Sequence, residues 1–415
     1  MFKFLLLSIA ASSLLYACST NQPDNSQARV ESSDSAADKI LPPVESQKPN
    51  TNYKPAFAGQ TRIAGVKTSS PYQARAIANG LEKPWGITQL PDGRLLITQK
   101  EGSMRIATTE GELSAPITGI PKVDSRGQGG LQGLTIDPDF TNNRTVYFIF
   151  SEPFEKGNVA ALAKGILSAD DKTMQNVTVL YRATPSYNGD KHYGGRVLVA
   201  SDGNLIMTTG ERSDLETRPQ AQQLNSALGK ILRLTKDGKP ATGNPFEGRE
   251  GARPEIYSYG HRNVLGIAFH PVTGDLWSNE MGPRGGDEIN LVKPGKNYGW
   301  PVITYGIEYS GATIGKGQTQ MDGMEQPVYY WDPVLSPGGM TFYPGDVVPE
   351  WKNNLFIGGL SSKHISRLVI NSENKVVGEE RLLEGEKQRF RDVIQGRDGN
   401  LYAITDEGRL YRIGK

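Results

Sequence analysis

The sequence predicts an all-β fold, a six-bladed β-propeller, on three observations. A loose unit of about 58 residues recurs six times along the body of the chain. Each copy contains short runs of period two bounded by Gly, Asp and Pro, with no sustained helical period. Glycine, at 48 of 415 residues, is well above the usual ~7%, as a turn-rich chain requires. Taken in order, the copies begin with PWGITQLPDGRLLITQKEGSMRI (Pro84–Ile106), which reads strand, tight turn, strand, strand. GGLQGLTIDPDFTNNRTVYFIFSE (Gly129–Glu152) follows, then GGRVLVASDGNLIMTTGE (Gly194–Glu211) with LGKILRLT (Leu228–Thr235). The fourth copy is LGIAFHPVTGDLWSNEMG (Leu265–Gly282) with DEINLV (Asp287–Val292), and the fifth is GGMTFYPGDVVPEWKNNLFIGGL (Gly338–Leu360) with ISRLVI. FRDVIQGRDGNLYAITDEGRLYRIG (Phe390–Gly414) is the last. A solenoid leaves edges that need capping, whereas radial closure protects them, so six blades are expected, with seven as the alternative count. Pro71–Leu81 is expected to supply a strand that closes the ring against the last blade.

Composition narrows the function classes. Lys+Arg 46 against Asp+Glu 45 gives a net charge of +1, without the excess of basic residues expected of a nucleic-acid binder. Apolar residues at 37% exclude a polytopic membrane protein, and one cysteine excludes a disulfide scaffold. Met1–Ala17 (MFKFLLLSIAASSLLYA) has the charge and length of a secretory signal and is too short for a stable span. Leu15-Tyr16-Ala17-Cys18 resembles the lipobox of bacterial lipoproteins, which implies lipidation of Cys18 and attachment to a membrane through lipid alone. Ser19 resembles an outer-membrane sorting signal, so a periplasm-facing, outer-membrane location is expected. Residues 18–65, rich in Ser, Asn, Gln, Asp and Pro, are expected to be a disordered tether, leaving 66–415 as the propeller.

Propellers gather ligands at one end of the channel, so site residues should be scattered among the copies at similar positions. Gln128, His192, Arg262 with Asn263, and Arg389 with Arg391 fit that pattern. His192, one of four histidines, precedes the first strand of the third copy, where an imidazole can serve as a general base. By itself a loop histidine is more often a surface residue. Glu211 ends the next strand of that copy and would return to the same rim, to orient the imidazole or to sit solvated in a turn.

Five separated motifs carry a family resemblance. They are Gly127-Gln128-Gly129-Gly130-Leu131-Gln132-Gly133, His192-Tyr193-Gly194-Gly195-Arg196, Tyr259-Gly260-His261-Arg262-Asn263, NEMGPRGGDEINLVKPGKNYGWP (Asn279–Pro301) and Arg389-Phe390-Arg391-Asp392-Val393. In this order they resemble the soluble aldose sugar dehydrogenases dependent on pyrroloquinoline quinone (PQQ), the glucose/sorbosone dehydrogenase family. The resemblance spans about residues 75 to 415 and implies a six-bladed propeller, agreeing with the repeat count. It implies PQQ and Ca²⁺ as cofactors, an aldose as substrate, and oxidation at C1 to a lactone with hydride passing to the quinone. His192 would be the base, Glu211 its orienting acid, and Arg262 the cation stabilising charge on the quinone oxygen. Gln128, Arg262, Asn263, Arg389 and Arg391 would contact the cofactor, whose three carboxylates suit guanidinium forks.

The same resemblance puts one calcium on the carbonyls of Gly282 and Pro283, and a second on Glu288 and Tyr298, joined by Glu308 and Glu325. One position departs from the family pattern. Ser361 stands where a cofactor-contacting lysine is usual, and loss of that contact would cost about 1–2 kcal/mol of cofactor binding. Lys363, two residues on, is the expected replacement, with His364 beside it. The electron acceptor is not named by the sequence. Two rival readings stand beside the dehydrogenase: a propeller that binds a sugar or a protein without catalysis, and a calcium-dependent propeller lactonase.

Overall fold

The structure, a computed structural model, describes residues 41–415. The signal segment, Cys18 and the first part of the expected tether lie outside the described residues. Six sheets are arranged as a six-bladed β-propeller, five of four strands and one of three. Blade one holds β2 (Pro84–Gln89), β3 (Leu95–Gln99) and β4 (Ser103–Ala107), with bridges to Leu113 and Ile117 at its outer edge. Blade two holds β5 (Leu131–Ile136), β6 (Thr145–Phe154), β7 (Gly157–Leu167) and β8 (Met174–Arg182). Blade three holds β9 (Val197–Val199), β10 (Leu205–Thr208), β11 (Lys230–Leu234) and β12 (Ile256–Tyr259). Blade four holds β13 (Val264–Phe269), β14 (Leu276–Glu280), β15 (Asp287–Val292) and β16 (Tyr329–Trp331). Blade five holds β17 (Pro337–Phe342), β18 (Leu355–Gly359), β19 (Ile365–Ile370) and β20 (Val376–Leu382). Blade six holds β21 (Phe390–Gln395), β22 (Leu401–Thr405) and β23 (Leu410–Gly414).

The ring closes as the sequence implies: β1 (Gln73–Ala78) pairs antiparallel with β23 and completes blade six. This joins the beginning of the body to its end in one sheet and leaves no open blade there. The innermost strands β2, β5, β9, β13, β17 and β21 pack side by side in a closed ring.

The core is six wedges, one between each pair of neighbouring blades. Strand β6 shows why. Phe148 and Phe150 pack toward blade one, with Leu96 and Met104, whereas Tyr147 and Ile149 pack toward blade three, with Val197 and Met207. Because both faces of a blade are buried, the run VYFIF (Val146–Phe150) is buried throughout instead of alternating. Each such side chain contributes roughly 1.5–3 kcal/mol of burial.

One expectation is corrected here. Residues 41–65 are not a free tether in the structure but a strap held on blades four and five. Gly65 bridges both Leu41 and Glu379. The buried Asp332 carboxylate accepts hydrogen bonds from the backbone of Asn50 (2.7 Å) and Thr51 (3.2 Å) and from the Thr51 hydroxyl (3.0 Å). Arg62 donates to the carbonyls of Glu45, Gln47 and Asp332, and the buried Gln60 donates to the Pro327 carbonyl. A polar composition failed to signal order because these residues are fixed by hydrogen bonds to distant blades rather than by an apolar face.

Candidate active site

In an antiparallel blade, the hairpin between strands two and three and the connection into the next blade's first strand share one end. A cavity of about 430 Å³ lies at that end, and all six blades contribute to its lining. Gln128, Asn263, Arg389 and Arg391 come from connections into first strands or from the strands themselves, as the sequence suggested. Lys100, Met281, Leu360 and Asp406 come from the second-to-third hairpins of blades one, four, five and six. Trp85, Leu265 and Leu360 give the cavity apolar surface beside these polar groups.

Blade three provides the titratable pair. His192 and Glu211 are both buried, and His192 Nδ1 lies 2.6 Å from Glu211 Oε1. The carboxylate fixes the proton on Nδ1, leaving Nε2 as the lone-pair nitrogen, which makes no hydrogen bond among the described residues. Burial, and then the nearby charge of Arg262, push the imidazole down to about 4, against the upward pull of Glu211. His192 is therefore neutral and able to take a proton throughout the neutral range.

The backbone that holds this pair is tightly packed. His192 sits at φ +47°, with its amide donating to Gln128 Oε1 at 2.9 Å. A Cβ on Gly210 would lie 2.3 Å from the His192 carbonyl oxygen, so only glycine allows the Glu211 strand this close. Arg212 pins the loop before His192, donating from Nε to the Lys191 carbonyl (3.0 Å) and from Nη2 to that of Gly189 (2.8 Å). Its guanidinium stacks 4.0 Å from the Tyr193 ring centroid. The sequence reading missed Arg212, and nothing in its local pattern sets it apart from a surface arginine.

Arg262 and Asn263 lie between blades three and four. Arg262 donates from Nη1 to the carbonyls of Met281 (2.9 Å) and Gly282 (2.7 Å) and stacks near Trp300, while its Nε has no partner among the described residues. Asn263 accepts from the Gly194 amide at 3.0 Å, and its buried Nδ2 is likewise unpartnered among the described residues. Across the cavity, Arg389 and Arg391 both grip Asp406, at 2.8 and 2.7 Å from their Nε atoms. Asp406 was also missed, though it stands in its repeat where Lys100 stands in blade one. The lining thus combines an unpartnered amide donor with four cations, Lys83, Lys100, Arg389 and Arg391, a chemistry that fits a planar polycarboxylate.

The remaining candidates separate. Lys363 is exposed at φ +58° in the hairpin of blade five and does not line the cavity; Leu360 is that hairpin's contribution. His364 is buried, with Nδ1 at 3.1 Å from the Ser362 carbonyl, and also stays outside the lining. Glu308 pairs with Arg218, and Glu325 pairs with Lys296 at 3.1 Å, so ion pairs engage both carboxylates expected to join a calcium site. Glu288 and Tyr298 do come together, with Glu280 as the carboxylate that the sequence reading overlooked. Asn290 Nδ2 lies 3.3 Å from Glu280 and 3.2 Å from Glu288. Burial, and then the charge of Glu280, raise Glu288 well above the usual carboxylate range. Glu280 also lies 3.0 Å from His261 Nδ1 and accepts from the Arg262 amide at 2.6 Å, and a divalent cation beside Glu288 would relieve the repulsion of the two acids. The Gly282 carbonyl is engaged by Arg262, so a cation on Gly282 and Pro283 would require that guanidinium to turn aside.

Comparison with known proteins matches residues 81–412 to the family model described as Glucose / Sorbosone dehydrogenase. The chain belongs to the glucose/sorbosone dehydrogenase family. The aldose sugar dehydrogenase YliI of Escherichia coli is 41% identical over 338 residues, 80% of this chain and 90% of the relative. Among solved structures in the family's fold, the soluble aldose sugar dehydrogenase of Escherichia coli in its apo form aligns with a TM-score of 0.79 at 39% identity. That alignment covers 83% of this chain and 99% of the other. The PQQ-bound form of the aldose sugar dehydrogenase of Streptomyces coelicolor aligns with a TM-score of 0.69 at 29% identity, over 84% and 99% of the two chains.

Proposed function

We propose that this chain oxidises aldose sugars at C1 to lactones, using PQQ held in the six-blade cavity and His192 as the general base. The observation that carries this reading is the buried His192–Glu211 pair beside a lining rich in cations. Gln128, Asn263, Arg389 and Arg391 would hold the cofactor, their donors matched to its carboxylate and carbonyl oxygens. When bound, PQQ supplies the hydride acceptor. The protein's own part is proton movement and charge placement. His192 Nε2 takes the proton of the anomeric hydroxyl, and Glu211 stabilises the imidazolium that results. Arg262 places a fixed positive charge near that step, at no reorganisation cost during the reaction. Glu280 and Glu288, with Tyr298 beside them, would hold a calcium ion as a structural tie of blade four.

Reconstitution tests the proposal. Purified protein with added PQQ and Ca²⁺ should reduce a redox dye in the presence of aldoses, and His192→Ala should lose turnover while still binding PQQ. A wild-type protein that binds no PQQ, or a His192→Ala variant with full turnover, would sink it. We also propose attachment of the chain to the periplasmic face of the outer membrane through lipid on Cys18. Loss of fatty-acid labelling in Cys18→Ser, beside a labelled wild type, is the check on the anchor, and membrane fractionation is the check on its location.

A further inference from the structure

We propose that Lys100, on the second-to-third hairpin of blade one, is a cofactor-anchoring residue that holds a carboxylate of the bound quinone. The inference rests on the PQQ reading above but is carried by a separate observation, the pairing of cations around the cavity. The lining contains four cationic side chains, Lys83, Lys100, Arg389 and Arg391, and one carboxylate, Asp406, a net charge of +3. Three of the four cations are already in direct ion pairs. Arg389 and Arg391 share Asp406, and Lys83 lies 3.5 Å from Glu101. Lys100 Nζ makes neither an ion pair nor a hydrogen bond among the described residues.

Its placement suits a ligand contact. The Lys100 backbone is fixed on both sides, its amide donating to the Lys83 carbonyl (3.1 Å) and its carbonyl accepting from the Leu131 amide (2.8 Å). The aliphatic stem lies over Gly130, where a Cβ would come 2.6 Å from Lys100 Cγ and displace it. A half-buried lysine on a fixed base, in a cavity that Trp85 and Leu265 also line, gains most when an anion enters. A carboxylate that meets Lys100 finds an ammonium that no protein acid holds in an ion pair among the described residues, unlike the guanidiniums of the two arginines. Blade five offers no equivalent, because Ser361 and Lys363 are exposed and only Leu360 reaches the lining.

The test is an equilibrium titration of PQQ into the full-length protein, followed by fluorescence quenching at low and high salt, without any activity readout. Lys100→Met should raise Kd about tenfold and flatten its salt dependence, since one ion contact is gone. Lys100→Arg should recover most of the affinity, Lys363→Met should bind as wild type, and all three should melt like wild type without PQQ. Wild-type affinity in Lys100→Met, or an equal loss in Lys363→Met, would overturn the assignment while leaving the PQQ reading intact. A wild-type protein that fails to bind PQQ would overturn both.

Discussion

Replacing Glu211 by Gln separates the proton chemistry of the site from cofactor binding. Glu211 is fully buried, holds His192 Nδ1 at 2.6 Å and does not line the cavity. The substitution keeps shape and removes charge. A charge-assisted hydrogen bond of this kind is worth about 1.5–3 kcal/mol, and most of that is expressed as the imidazolium forms. The turnover plateau should therefore fall roughly 10- to 100-fold. The acid limb of the rate profile gives a sharper signature. In the wild type it is set by His192 near 4, where burial and Arg262 lower the imidazole and Glu211 opposes them. Removing the opposing charge moves that limb to still lower pH, so the variant is slower yet less acid-sensitive. Stability follows the same sign. A histidine whose folded value lies below its unfolded ~6.5 stabilises the fold above that pH, and the contribution, about 3 kcal/mol, is lost as pH falls through 4. Steady-state dye reduction extended to below pH 4, beside a PQQ titration, reads the rates and the affinity, and melting over the same range reads the stability. An unchanged plateau, or an acid limb that moves upward, would refute the role of Glu211. Equal losses in PQQ affinity and in turnover would mean that the variant had simply damaged the cavity.

Two further outcomes are expected. Added Ca²⁺ should raise the melting temperature of the wild type, by up to about 2.7 kcal/mol of stability at a hundredfold excess over Kd, and Glu288→Gln should lose most of that increment; equal increments in the two would place the ion elsewhere. Asp332→Ala removes the acceptor of three hydrogen bonds from the strap, so it should cost about 2–4 kcal/mol and open residues 46–62 to limited proteolysis; wild-type protease resistance in the variant would contradict the account of the strap.

The fold was legible because a propeller repeats its signal. Six copies each report a first and a second strand, and PWGITQLPDGRLLITQKEGSMRI shows all three strands of blade one. Several outer strands were not legible. GNVAALAKGIL (β7) and VVGEERL (β20) follow different turns in different blades and carry no shared pattern. The site divides in the same way. Residues ahead of the first strands were found through motifs, but the ends of the second strands were not compared with one another. In register, the sixth positions of LLITQK, LWSNEM, LFIGGL and LYAITD are Lys100, Met281, Leu360 and Asp406, and all four line the cavity. That column was available in the sequence. The misplacement of Lys363 followed from reading one loop alone, where a hairpin turn directs its side chain to solvent. The buried neighbour of Glu288 has another cause: Glu280 ends one strand and Glu288 lies in the next, and only their pairing in the sheet brings them opposite.

A ring of blades joined mainly through apolar wedges must still hold His192 and the Arg389–Arg391 pair at a fixed separation, although blades three and six face each other across the axis. The chain meets this with an ion pair beneath the cavity. Arg196, four residues after His192, pairs through Nη1 with Asp392, the residue that follows Arg391. The same guanidinium donates from Nε to the Leu265 carbonyl of blade four at 2.5 Å and lies 4.4 Å from the Trp85 ring centroid of blade one. Both charges are buried, and such a pair adds little net stability compared with apolar side chains of the same size. An apolar plug would seal the channel equally well, but it would not fix how far β9 lies from β21. The directionality of the ion pair does, because its hydrogen bonds tolerate little change in distance or angle. One arginine thus ties four blades together, close in sequence to the base on its own side and, through its partner Asp392, to the cofactor-side arginine.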